Sequence, residues 1–210
     1  MWKWTRSLYN KRTQAATIAK VFLKKGICGG TVKTTARMEA TKGEKQMENA
    51  RMIRDMITCC KGSAHDVNHF LKVYAYARTI GKLTGLDEET QRIVEIAAIV
   101  HDIACPLCRE KYGRADGYLQ EQESEALLRP FLAGYDLPEK VLERVIFLVC
   151  HHHTMTGVDG LDWRILLEAD FLVNAEENGM SMPQIQSARE AFFRTEAGLE
   201  LLAFLGAGNG

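Results

Sequence analysis

The side chains in this chain that are best suited to metal chemistry are His69, the adjacent pair His101-Asp102, and Asp170. His101-Asp102 follows Ile99-Val100 at the end of an apolar run. A carboxylate beside an imidazole is costly to bury there without a partner. A divalent metal is one such partner, because imidazole nitrogen and carboxylate oxygen are both good donors to it. A helix-end pair satisfied by a nearby amide is the other. Asp170 sits inside the apolar stretch 165–173, where Leu166, Asp170 and Val173 share one helical face. Glu168 lies about 200° around the helix from Asp170, so it can point to solvent. His69 falls one turn before Val73 on the apolar side of another helix. Each of these residues alone fits a hydrogen-bonded core group. Jointly, two histidines and two aspartates at inward positions on three helices make a mixed nitrogen and oxygen ligand set.

These residues need helices to position them, and the pattern from Met47 onward is helix after helix. A first helix is expected over 47–59, with Met52, Ile53 and Met56 inward. Ser63 is a natural N-cap for a helix running to about Leu83. Gly85-Leu86-Asp87 makes a turn, and Asp87 caps a helix over about 88–104. A loop is expected from Cys105 to about Gly117, followed by helices over 119–133, 138–152 and 161–177. A last helix is expected over 183–204, with Pro183 in its first turn. No stretch alternates with the period of a strand. The expected fold is therefore all-α: one bundle of about six to seven helices over 47–204, with residues 205–210 as a flexible tail.

Residues 1–46 read differently. They carry 11 Lys and Arg against 2 acidic residues, a net of +9, while the other 164 residues carry 16 and 25, a net of −9. Leu8, Ala15, Ala19 and Phe22 would line one face of a short basic helix, which Gly26, Gly29 and Gly30 then break. The segment is expected to be a basic extension outside the fold. A targeting peptide, a solvated tail and a start upstream of Met38 or Met47 all remain open for it. The chain is 46% apolar, enough for a core without disulfides. No run approaches the ~18 apolar residues that would cross a bilayer. With no apolar signal core, the six cysteines (28, 59, 60, 105, 108 and 150) are expected to be reduced thiols in a cytoplasmic protein. Cys105-Pro106-Leu107-Cys108 has C-x-x-C spacing but no second pair to complete a zinc site. Walker-type and G-x-S-x-G motifs are absent.

His69-Phe70-Leu71-Lys72-Val73, then Ala97-Ala98-Ile99-Val100-His101-Asp102-Ile103, then Glu168-Ala169-Asp170-Phe171-Leu172 resembles the HD superfamily. The likeness spans roughly 47–204. It implies an HD-type bundle in which His69, His101, Asp102 and Asp170 bind a divalent metal. It also implies hydrolysis of a phosphate ester, of a nucleotide or another small phosphorylated metabolite. The resemblance further implies that histidines near His151-His152-His153 serve a second metal or contact phosphate. Adjacent helical residues diverge by about 100°, so not all three can face one site. His152, seven after Val145 and four after Leu148, is the first choice to point inward, and His153 the second. An exposed or capping cluster at a helix end is the alternative.

Lys111-Tyr112-Gly113-Arg114, Gly117 and Gln120-Glu121 are similar to a stretch of related phosphohydrolases. That likeness makes Lys111 or Arg114 a candidate phosphate contact, against an ordinary charged loop. Gln120 and Glu121 occupy the region where some two-metal relatives carry another histidine ligand, which puts a six-ligand centre in doubt. His65, one turn before His69, is a rival or auxiliary ligand expected at the pocket rim or in solvent. Mixed His/Asp ligation suits Mn, Fe, Co, Ni, Zn or Mg. In the expected mechanism Asp102 orients the attacking water, while His152 stabilises developing charge or protonates the leaving group. The rival readings are a non-catalytic HD-like module that binds a nucleotide or metal, and a di-iron HD oxygenase. A small phosphorylated substrate is expected as partner, with a homodimer left open and neither a membrane nor a specific nucleic acid expected.

Overall fold

The computed structural model describes residues 42–207, so the basic segment 1–41, Cys28 included, and residues 208–210 lie outside the described residues. Nine helices and no strand occur among the described residues. They are α1 (Lys42–Cys59), α2 (Ala64–Thr84), α3 (Glu88–Val100), α4 (Cys105–Tyr112), α5 (Gly117–Leu132), α6 (Glu139–Val149), α7 (Leu161–Glu177), α8 (Met182–Ala191) and α9 (Glu196–Ala207).

The helix starts follow from capping side chains that satisfy orphan N–H groups. Ser63 accepts from the Asp66 amide at the start of α2. Asp87 accepts from the amides of Glu89 and Thr90 at the start of α3. Gly85 ends α2 in the left-handed region at φ 77°, where a glycine carries no Cβ penalty.

Helix α2 packs mainly against α7 and α3, α3 also packs against α6 and α7, and α5 packs on α6. Phe70, Ile96, Ile99, Leu148, Ile165 and Leu166 are fully buried where these helices meet. Helix α7 is enclosed all round, with Trp163, Ile165, Leu166, Leu167, Ala169, Leu172 and Val173 buried in turn. Its polar residues are therefore held in the interior, where each must find a partner.

Several boundaries depart from expectation, and α9 runs to Ala207, into the expected tail over 205–210. Helix α1 begins at Lys42, ahead of Met47. Residues 105–112 form a helix where a loop was expected, because Pro106 takes a first-turn position and Gly113 supplies the left-handed terminator at φ 74°. The expected helix over 183–204 is broken at 192–195. The cause is Glu168, which is fully buried rather than solvent-facing. Its carboxylate accepts from the backbone N–H groups of Arg194 (2.6 Å) and Thr195 (3.1 Å), and from the Thr195 hydroxyl. A carboxylate at that point holds the chain open and supports the start of α9. Gly198 lets the chain come that close, since a Cβ there would meet the Glu168 carboxylate.

Candidate metal centre

Helices α2, α3, α6 and α7 each deliver side chains to one point. His69 comes from mid-α2, with Phe70 and Val73 beside it in the core. His101 and Asp102 lie in the turn that ends α3. Asp170 comes from mid-α7, and His152 and His153 lie in the turn after α6, which ends at Val149 rather than at 152.

His69 Nε2 is 3.1 Å from Asp170 Oδ1 and 3.5 Å from Asp102 Oδ2. His101 Nε2 is 3.6 Å from the same Asp170 oxygen and 3.7 Å from the same Asp102 oxygen. The other Asp102 oxygen, Oδ1, is 3.6 Å from His152 Nε2. One atom from each of His69, His101 and Asp102 falls within 4.8 Å of the other two, and the same holds for Asp102, His152 and His153. Asp102 thus belongs to both groups, with one oxygen toward each.

The far nitrogen of each ring fixes its orientation. His69 Nδ1 is 2.8 Å from Glu177 Oε2, His101 Nδ1 is 2.9 Å from the Ala98 carbonyl, and His152 Nδ1 is 2.7 Å from the Val149 carbonyl. A carbonyl can only accept, so His101 and His152 carry their proton on Nδ1 and aim the Nε2 lone pair inward. The Nε2 atoms of His101, His152 and His153 are buried with no hydrogen-bond partner. Leaving such an atom unpaired costs about 1–3 kcal/mol. Three of them converging on two carboxylates is the donor set of a divalent cation, and the residues present fit one.

The electrostatics agree. Burial opposes ionising Asp102 and Asp170, yet the surrounding histidines hold both below the usual carboxylate range. Burial also works against a charge on His69, but the hydrogen bond to Asp170 and the charges of Asp102 and Asp170 outweigh it and lift its pKa to about 9. Burial pushes His101 down. His153 falls to about 4, by burial and then by the charge of His152, so it is neutral near pH 7.

A pocket of about 210 Å³ opens beside this cluster, lined among others by His69, Asp102, Asp170 and His153. His152 Nε2 faces Asp102 Oδ1 from behind that lining, and His153 is in the lining itself. The helix has ended before them, so the turn brings both rings inward with centroids 4.0 Å apart. His151 turns away and stacks on Phe147. Gly117 permits this arrangement, because a Cβ there would run into the His153 ring.

His65 stands at the pocket rim with its side chain 70% exposed. Gln120 lines the pocket, donates to the Ala115 carbonyl and leaves its Oε1 buried without a partner. Glu121 instead accepts from the His153 amide and the Thr154 hydroxyl, so it fixes the histidine turn. Lys111 pairs with Glu123 and Arg114 with Asp116, and neither is in the pocket lining. The helical turn over 105–112 explains this. Cys105 and Arg109, one turn apart, face the pocket, while Lys111 points about 200° away from Arg109.

Asn174, Glu177, Asp66 and Arg109 line the pocket without having been singled out. Asn174 Nδ2 donates to Asp170 Oδ1 at 2.9 Å, and Lys72 Nζ reaches Glu177 Oε1 at 3.3 Å. The signal for Asn174 and Glu177 was available, since they follow Asp170 by four and seven on one helix face.

Cys59, Cys60, Cys105, Cys108 and Cys150 are all unpaired. No described helix is long and apolar enough to cross a membrane. A family model described as HD domain matches residues 66–182, more than half of the chain. No curated protein and no solved structure matches it.

Proposed function

The chain belongs to the HD domain family, and on that premise we propose that it is a metal-dependent phosphohydrolase acting on a small phosphate ester. The observation that carries this reading is the convergence of histidine Nε2 atoms, three of them unpartnered, and ionised aspartates beside a polar pocket. His69, His101, Asp102 and Asp170 would hold the ion, one of Mn, Fe, Co, Ni, Zn or Mg. When bound, such an ion supplies Lewis acidity that makes water a better nucleophile near neutral pH and draws charge from a phosphoryl oxygen.

The chain's own residues do the rest. Glu177 and the Ala98 carbonyl fix the His69 and His101 rings. Asn174 holds the Asp170 carboxylate. His152 Nε2 stands 3.6 Å from Asp102 Oδ1, its lone pair available to a cation held between them. His153 is neutral and faces the pocket, where its Nε2 serves as a hydrogen-bond acceptor for substrate or water.

The second grouping around Asp102 would admit a second ion, and a di-iron oxygenase is the alternative reading. Two irons per chain with oxygen consumption would mark it. The direct test of the hydrolase is a metal-supplemented screen against nucleotides and sugar phosphates. Release of inorganic phosphate from one class, lost in Asp102→Ala, is the expected result. No release from any class with any of the six metals would reject it.

A further inference from the structure

Among the described residues lining the pocket, Arg109 is the one lysine or arginine. The lining otherwise carries the carboxylates of Asp66, Asp102, Asp170 and Glu177, so an anionic substrate meets a wall of its own sign except at the metal ligands and at this guanidinium.

The guanidinium is held in place. Its Nη2 donates to Asp66 Oδ2. The Asp66 side chain is 8% exposed and that of Arg109 is 42% exposed, so the acid is sunk in the wall while the cation opens to the pocket. Asp66 lies in the first turn of α2, where the helix dipole favours a carboxylate. It precedes His69 by three residues, so mooring point and ligand share one face of α2. Arg109 sits one turn after Cys105 on α4, and both line the pocket. A guanidinium has five N–H donors in a planar fork suited to two oxygens of one anion. The bond to Asp66 uses one of them, so the fork is oriented before substrate arrives and loses less freedom on binding.

Resting on the hydrolase reading above, we infer that Arg109 is the substrate-binding residue that takes the non-bridging oxygens of the phosphoryl group, and that Asp66 is its positioning residue.

The test is binding of inorganic phosphate to the full chain by calorimetry, with metal content measured on each sample. Phosphate affinity is expected to fall about tenfold to a hundredfold in Arg109→Ala, with metal content unchanged. Arg109→Ala leaves the Asp66 carboxylate unpaired and can destabilise the fold, so the Asp66→Asn/Arg109→Ala pair is measured alongside. It removes both charges, and its affinity is expected to stay low although its stability recovers. Arg109→Lys keeps the charge without the fork and should recover part of the binding. Asp66→Asn should raise KM for p-nitrophenyl phosphate more than it lowers kcat.

Wild-type affinity in the double variant would overturn the assignment, as would no phosphate binding by the wild type. Phosphate binding that depends on Arg109 in a protein that hydrolyses no ester would uphold the anion site while the hydrolase reading fails.

Discussion

His69 Nε2 and Asp170 Oδ1 stand 3.1 Å apart although 101 positions separate them in the chain. Helix α2 packs most extensively against α7, so the packing that forms the core also closes the site. Neither residue has the other as its sole partner. Glu177 holds the far side of the imidazole and Asn174 the carboxylate, which leaves the inward atoms of both facing His101 and Asp102.

Glu177 should therefore tune metal affinity without touching the ion. Glu177→Ala is expected to weaken binding about 10–100-fold, and Glu177→Gln less, since its amide oxygen can still accept from His69 Nδ1. Competition against a chromophoric chelator measures both. Equal affinities in wild type and Glu177→Ala would remove Glu177 from the account.

Metal affinity should also depend on pH through His69. Its pKa is lifted from 6.5 to about 9, against the effect of burial, by Asp170, Asp102 and Glu177. A raised histidine binds its proton more tightly folded than unfolded. Its contribution to stability is full below pH 6.5 and is lost as pH rises through about 9. A cation competes with that proton for the same carboxylates, so apparent affinity should climb from pH 6.5 to 9 and level off above. Asp102 and Asp170, held low, stay ionised across this window and add no slope. Chelator titrations at several pH values in that interval give the answer, and a flat profile would contradict it.

The fate of Glu168 yields a stability prediction. Burial raises its pKa, while the Thr195 hydroxyl and the Arg194 and Thr195 amides oppose the shift. Glu168→Ala strands those donors and should destabilise the protein by about 2–4 kcal/mol. Denaturant unfolding should register the loss, while the folded variant keeps its metal. A change within about 0.5 kcal/mol would mean the carboxylate does not hold the 192–195 break.

Glu168 also shows where sequence reasoning stops. Its angle to Asp170 around the helix was correct, but a two-sided helix was assumed, and α7 is buried all round. A central helix has no solvent side to which a carboxylate can be assigned. The clustering of His69, His101, Asp102 and Asp170 is legible because polar residues interrupt apolar runs at helical spacing, as at Asp170 and His101-Asp102. His152 and His153 share the inward side because α6 ends at Val149, and the 100° spacing of a helix does not govern side chains in the turn that follows. Arg109 was hidden by reading 105–117 as a loop, although Pro106 and Gly113 mark a helix between them. Spacing puts Glu177 on the face of Asp170, but its bond to His69 depends on which helix packs against α2, and a single sequence does not disclose that.

If Asp102 and the imidazoles around it hold a divalent cation, the ion should survive removal of excess metal. Full-length protein is equilibrated with excess Mn²⁺ or Zn²⁺, desalted and analysed by plasma mass spectrometry. At least one equivalent is expected to stay on the wild type, and close to none on an Asp102→Ala variant of equal helicity. A wild type that retains no metal, or a variant that retains as much, would refute cation binding at Asp102.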